Sequence, residues 1–486
     1  MIYFSDIFNV NEDDLEDYGA FNISLVNDLP LFVDPFLLYA SEKEDYKRLH
    51  EGIIRYLSFL KEKASEGILT DGKISRWYRF PEVKQVWFGY SQTGNGGAGL
   101  GRDFAIAMSS AIIGVFKDLN NEKITRSSHL EKLGLFKGGV GRDNISDFTC
   151  NLIKGYLLEY TQTFALNHID ESYLQKIPVD KAYFDYEKET WMPKEFTLPY
   201  HNGDYVLLTP KDILTKDDTW ISFPDLKKDI LSIVNTVPNI EIRDRLNDIY
   251  LKSLPSTPKD KDRTYATQRL IEEFPEIVDY YIKVKEEDAD KALENSKKVV
   301  SDTNTVFVEN IKVLGEMLRT YGFYHISEQQ TLEATRQRLL FLKDVIENKD
   351  GYKLFYHDNK QVGSERTLQL IFKLTWFQTD LDVNSEVNNG RGPVDYKVSR
   401  GKHDSTLVEF KLAKNSKLRQ NLQNQLDIYK NANNTNHGLT AIMFFTAKEQ
   451  KKLYDILKEL GLDSNPNVIT INAIDDKPSA LSLIHI

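Results

Sequence analysis

The sequence predicts a mixed α/β fold, α+β overall, from two observations. Between residues 364 and 445 the apolar pattern runs helix, three strands, helix, strand. Ahead of it, strand and helix patterns mix up to about Leu254, and a purely helical pattern runs from Tyr265 to about Asn348. Pro255-Ser256-Thr257-Pro258-Lys259-Asp260-Lys261-Asp262 has linker composition. The expected organisation is a mixed α/β module at 1–254 acting as a sensor or recognition domain, a helical connector at 255–349, and a second domain at 350–480.

In the front module, Pro30 and Pro35 break the apolar run Asn27 to Leu38 into loop and turn pieces, and an amphipathic helix follows through Leu60. Gln85 to Tyr90 reads as a strand and Ala105 to Phe116 as an apolar helix. Between them, Gly94 to Gly99 spells Gly-x-Gly-x-x-Gly, where a dinucleotide fingerprint would sit. Gly101 follows the third glycine, no acid ends a second strand at the required distance, and no lysine is present to reach phosphate, so a loop is expected. Gly99-Leu100-Gly101-Arg102-Asp103 and Gly139-Val140-Gly141-Arg142-Asp143 each precede a helical pattern. Glycine for the turn and aspartate for the cap explain both. Phosphate or nucleotide binding by the two arginines at helix N-termini is the alternative.

In the second domain, Ser364 to Phe377 repeats at helical spacing and Asp382 to Asn388 reads as a strand. After Asn389-Gly390-Arg391-Gly392 come two short strands, Pro393 to Ser399 and Thr406 to Leu412, with turn chemistry at Arg400 to Asp404. A turn centred on Lys402 puts Asp395 opposite Glu409, and directly opposed residues hold their Cβ atoms roughly 5 Å apart. That spacing suits one divalent cation between two carboxylates. Lys411 points the same way, so this face carries the polar cluster, while Val394, Tyr396, Val398, Val408, Phe410 and Leu412 face the core. A helix from Leu418 to Ala432 and an apolar strand from Leu439 to Phe445 follow, and Gln425 and Tyr429 share one face of that helix.

The segment from Glu386 to Tyr429 resembles the PD-(D/E)XK nuclease superfamily, the restriction-endonuclease-like fold. The matching elements are Asp395 two positions after Pro393, Glu409-Phe410-Lys411, and Gln425-Leu426-Asp427-Ile428-Tyr429, which is similar to the Gln-x-x-x-Tyr element of RecB-type members. Val394 loosens the Pro-Asp pair. The resemblance implies an α-βββ-α-β core over about residues 360–480. It implies Asp395 and Glu409 as ligands of Mg2+ or Mn2+, with the Phe410 carbonyl as a further ligand. Hard oxygen donors of this kind favour those ions. Lys411 is then expected to orient the attacking water or neutralise developing charge, and Gln425 and Tyr429 to position the phosphate or the lysine. The third acid stays open between Glu365, placed as in Holliday-junction-resolvase-like members, and Glu386, on the strand before the glycine-rich turn.

Bulk charge gives no hint of nucleic acid, since the chain is net −11. Locally, Arg391, Lys397, Arg400, Lys402, Lys411, Lys414, Lys417, Arg419 and Lys430 outnumber Asp395, Asp404, Glu409 and Asp427, as phosphate contacts require. A single cysteine, Cys150, excludes a disulfide framework within the chain and a cysteine-based zinc cluster, and points to the cytoplasm. No signal peptide is expected from the start Met1-Ile2-Tyr3-Phe4-Ser5-Asp6, and the longest apolar stretch is too short for a bilayer. Leu481 to Ile486 is what one reading frame of a library-preparation transposase adapter would encode, so an adapter-derived tail is expected there.

The function so implied is a metal-dependent nuclease hydrolysing phosphodiester bonds, with DNA ahead of RNA as partner. By analogy of build it would be a prokaryotic restriction or anti-phage defence effector. The alternatives are a DNA-repair or junction-processing nuclease, a nucleic-acid-binding protein with an inactive nuclease fold, and an enzyme centred on the glycine-rich loop. Homo-oligomerisation and the identity of a trigger or partner protein stay open.

Overall fold

The structure is a computed structural model that describes residues 3–25, 28–67, 69–89, 101–136, 140–216, 218–313, 330–349, 351–357, 360–361, 365–376, 381–388, 393–400, 404–423 and 437–475. The chain divides into two compact units, residues 1–91 with 95–301, and residues 92–94 with 302–486. Both combine helices with β-sheet, so the protein is a mixed α/β chain. Among the described residues no helix is long and apolar enough to cross a membrane. The 481–486 tail lies outside the described residues.

The front unit is built from helices α1 (Pro35–Ala40), α2 (Glu44–Ser65), α3 (Arg102–Val115), α4 (Arg142–Leu152) and α5 (Lys154–His168). A three-stranded antiparallel sheet follows, made of β1 (Leu174–Asp185), β2 (Thr190–His201) and β3 (Asp204–Tyr205). Pro35 sits at the start of α1, where its missing N–H costs nothing, and Asp34 caps that helix through the Phe36 N–H at 3.0 Å. The strand expected at Gln85 to Tyr90 is instead a 3-10 turn at Lys84–Val86, closed by Trp87 in the left-handed region at φ 57° and followed by one bridge between Leu29 and Phe88. A left-handed residue cannot continue a ladder. Among the described residues, the strand that a dinucleotide fingerprint needs before its glycines is therefore not formed at Gln85 to Gly89; Tyr90 and Gly94 to Gly99 lie outside the described residues.

Helices α6 (Phe223–Thr236), α7 (Ile240–Lys252), α8 (Asp260–Glu273), α9 (Ile277–Glu287) and α10 (Ala289–Asn304) close the unit. Leu270 and Ile271 of α8 and Val278 and Ile282 of α9 share one buried cluster with Leu226 and Ile230 of α6. The division between units at 301/302 thus falls inside the segment expected as a connector, because these helices bury apolar faces against α6 and α7.

The second unit carries α11 (Thr331–Asn348), α12 (Glu365–Leu374), β4 (Asp382–Asn388), β5 (Pro393–Arg400), β6 (Asp404–Leu412), β7 (His437–Phe444), α13 (Ala447–Glu459) and β8 (Val468–Asn472). The strands form one mixed sheet in the order β8-β7-β6-β5-β4. The pairs β4–β5 and β5–β6 are antiparallel, and β6–β7 and β7–β8 are parallel. Antiparallel neighbours are joined by short turns, whereas parallel ones need a crossover, and α13 lies in the one between β7 and β8.

The sheet is covered on both faces. On one, Thr331 at the start of α11 bonds Thr406 at 2.9 Å, and the Phe372 ring of α12 packs on Phe410 at 5.1 Å and on Tyr396 at 5.4 Å. On the other, Ile442 and Phe444 pack with Leu453 and Leu457 of α13 and with Leu418 and Leu422. The β6 half of the hairpin's polar face is therefore buried, with Leu407, Glu409 and Lys411 enclosed like Val408 and Phe410, while Asp395, Lys397 and Ser399 on β5 are half-buried. A strand central to a sheet with helices on both sides has no solvent face.

Candidate active site

The β5–β6 register pairs Asp404 with Arg400, Thr406 with Val398 and Val408 with Tyr396. This is the register of a turn centred on position 402, and one pair further along it sets Asp395 across from Glu409. The β4–β5 register pairs Ser385 with Tyr396 and Val387 with Val394, which brackets Glu386 opposite Asp395. On the other side, Glu409 pairs with Thr440 of β7. Glu386, Asp395, Glu409 and Thr440 thus occupy one row across four strands. The Glu386 side chain lies outside the described residues.

Asp395 is held by two donors. Its Oδ2 accepts the Phe410 backbone N–H at 2.6 Å, and its Oδ1 accepts Nε2 of Gln369 at 2.9 Å. The Tyr396 hydroxyl donates to the Gln369 carbonyl at 3.0 Å, tying helix α12 to the strand at the same level. Lys411 Nζ stands 2.7 Å from Glu409 Oε1, 3.3 Å from Glu365 Oε1 and 3.9 Å from Asp395 Oδ2. One ammonium therefore serves three carboxylates. Of the two candidates for a third acid, the structure brings Glu365 to this lysine.

The electrostatics follow from the burial. Desolvation, then the neighbouring Glu409 charge, push the Asp395 carboxyl up to about 8 against the pull of Lys411. Desolvation also raises Glu409, again opposed by Lys411. Burial alone would depress Lys411, but Asp395, Glu409 and Glu365 outweigh it and raise the ammonium above its usual value. Three buried polar atoms beside the cluster have no hydrogen-bond partner: Glu409 Oε2, Thr440 Oγ1 and Gln369 Oε1. Orphaned buried oxygens are costly unless something completes them.

Among the described residues no group of three or more His, Cys, Asp or Glu side chains is arranged to share one ion. The donors that fit a hard cation are the two facing carboxylates, Asp395 and Glu409, the latter with its free oxygen. Glu365 is engaged with the lysine instead. Gln425 and Tyr429 lie outside the described residues.

Two residues of the cluster are absent from the sequence-based list. Gln369 is four positions after Glu365, so the helical period that singles out one marks the other. Thr440 had no local signal, since a parallel pairing joins strands distant in sequence. Its unpartnered hydroxyl makes a stability prediction. Thr440→Val keeps the shape and removes the unsatisfied group, so the metal-free protein is expected to gain roughly 1 kcal/mol in urea unfolding. Loss of stability would show that the hydroxyl is satisfied in solution.

Residues 9–222 match a family model described as a domain of unknown function (DUF8370), and residues 331–447 match another described as a domain of unknown function (DUF8371). The second match runs from the start of α11 through β7 and so contains Glu365, Gln369, Asp395, Glu409, Lys411 and Thr440. Comparison with curated proteins and with solved structures returned no match.

Proposed function

We propose that the second unit is a metal-dependent nuclease domain of the PD-(D/E)XK type. The observation that carries this reading is the convergence of Asp395, Glu409 and Lys411, from two paired strands, with Glu365 from the helix before them. A merely structural ion pair needs one acid per base. Here a buried lysine faces three acids and an orphaned carboxylate oxygen remains, which calls for a further positive charge.

Asp395 and Glu409 would hold Mg2+ or Mn2+, which supplies Lewis-acid polarisation of the scissile phosphate and a lowered pKa for attacking water. Gln369 and the Phe410 N–H fix the Asp395 carboxylate in place, so its orientation is set before anything binds. Glu365 and Glu409 hold the Lys411 ammonium charged and aimed at the same point. From there Lys411 orients the nucleophilic water and offsets negative charge on the phosphoryl oxygens. Around the site, Lys414 and Lys417 are exposed where they can meet backbone phosphates, while Arg419 is paired with Glu459 at 2.7 Å. DNA is the first substrate to test, and a restriction or anti-phage role rests on the two-unit build alone.

The test is a substrate panel: purified full-length chain with plasmid, linear duplex, single-stranded DNA and RNA, each with Mg2+, with Mn2+ and with EDTA. Cleavage of at least one substrate, dependent on the metal, is expected. Binding to it should weaken steeply between 50 and 200 mM salt, as backbone contacts require. Intact substrates throughout, or cleavage undiminished in EDTA, would overturn the proposal.

A further inference from the structure

Two histidines of the front unit lie side by side, His50 of α2 and His129 of the segment between α3 and α4, with ring centroids 5.6 Å apart. Both are buried, His50 at 7% and His129 at 1% exposed. His50 Nε2 and His129 Nδ1 have no hydrogen-bond partner among the described residues. The other side of each ring is held. His129 Nε2 faces Glu286 Oε1 of α9 at 2.9 Å, and the Ser128 backbone engages the His50 ring, at the nitrogen other than Nε2. Glu286 is itself fixed, because its Oε2 accepts the Arg126 N–H at 2.7 Å and its Oε1 the Ser127 N–H at 3.0 Å.

An acceptor bound to one imidazole nitrogen keeps the ring proton there and leaves the other nitrogen as a bare lone pair. Two bare lone pairs are therefore enclosed on neighbouring rings. They cannot satisfy each other, since neither carries a proton, and buried acceptors left alone are costly. Burial, then the neighbouring His129, hold His50 down to about 3 against the pull of the Ser128 backbone, so this ring is neutral at neutral pH, as a metal ligand must be. A carboxylate behind one histidine and a backbone group behind the other is the outer shell that metal-bound imidazoles have. The spacing agrees: nitrogens about 2.0–2.1 Å from one zinc-type ion set the two ring centroids roughly 5–6 Å apart.

We propose that His50 and His129 form a binding site for one first-row transition ion of the zinc class, with Glu286 as the carboxylate that orients His129. Imidazole nitrogens suit such ions, whereas Mg2+ and Mn2+ prefer oxygen donors. The Tyr39 ring stands 4.8 Å from His129 and 5.3 Å from His50, but its hydroxyl is engaged by Glu286 and Arg126. No third His, Cys, Asp or Glu among the described residues joins the pair, so water or another small ligand would complete the ion. The slight exposure of His50 gives the ion its approach. Bound there, it would tie α2 to the segment before α4 and, through Glu286, to α9. The site does not depend on the nuclease assignment.

Titration calorimetry of the metal-stripped full-length chain with ZnCl2 tests it, in excess Mg2+ so that oxygen-donor sites are occupied. Saturable binding of one Zn2+ is expected. His50→Phe keeps a ring in place and removes the nitrogen, and His129→Gln keeps an amide that can donate to Glu286. Each should weaken that binding at least tenfold while keeping the parent circular dichroism spectrum. X-ray absorption at the zinc edge, on the parent loaded with one equivalent, should show two imidazole nitrogens in the first shell, and it decides where neither variant folds. No Zn2+ binding, affinity unchanged in a folded variant, or a first shell of oxygens alone would overturn the proposal.

Discussion

Lys411→Met is expected to lower metal-dependent cleavage by roughly 10²-fold or more, the loss typical when a transition-state charge partner or proton-transfer group is removed. The same change should leave affinity for Mg2+ equal or higher, because it removes a cation that stands 2.7 Å from Glu409 and 3.9 Å from Asp395. Without metal, the variant leaves the enclosed carboxylates of Asp395 and Glu409 facing each other. Breaking a buried ionic cluster in this way costs about 3 kcal/mol. Protons can relieve it. Both acids are already raised above their ordinary values, so the folded state holds their protons more tightly than the unfolded chain. Stability is then lost as pH rises from the unfolded values through the folded ones. Urea unfolding in EDTA should show a deficit that is small near pH 5 and grows towards pH 9, and saturating Mg2+ should close most of it. Equal stability of variant and parent across that range would mean that Lys411 is not the counter-charge of these acids.

Asp395→Asn should abolish detectable cleavage and sharply weaken Mg2+ binding, since it removes one of the two facing carboxylates among the described residues. Its effect on the metal-free fold should have the opposite sign to that of the lysine change. The amide oxygen can still accept the Phe410 N–H, and a flipped Gln369 can present its orphaned Oε1 to the new amide. The variant also avoids ionising a buried acid. Asp395 moves from an ordinary 3.8 up to about 8 in the folded protein, so its ionisation costs the parent stability across that window, a cost absent from the variant, in which the raised Glu409 alone of the two still titrates. The variant should match the parent near pH 4, gain on it towards pH 8, and hold a constant advantage above. A variant that gains nothing on the parent as pH rises would contradict the burial argument.

Much of this site was readable from local pattern. The turn centred on Lys402 fixed the β5–β6 register, and with it the pairing of Asp395 and Glu409, because a two-strand ladder is set by its turn and its alternation. The strand at Asp382–Asn388 and the helix opening at Glu365 followed from period alone. What pattern could not give was the covering of the polar face. Alternation in Thr406 to Leu412 separates an apolar from a polar side, but Leu418, Leu422 and α13 pack on Ile442 and Phe444 of the neighbouring β7, and such packing depends on residues far along the chain. Thr440 escaped for the same reason. In the front unit, Trp87 in the left-handed region turns an apolar, strand-like segment into a 3-10 turn, a choice that β-propensity does not encode.

The central claim, that Asp395, Glu409 and Lys411 form a phosphodiester-cleaving centre, is tested most directly by single-turnover cleavage of labelled duplex DNA in Mg2+. The full-length parent and Lys411→Met should be compared with each folded and each shown to bind the metal. The account predicts cleavage by the parent that stops in EDTA and a rate in the variant lower by roughly 10²-fold or more at undiminished Mg2+ affinity. Equal rates for the two proteins in Mg2+, or parent cleavage that persists in EDTA, would contradict it.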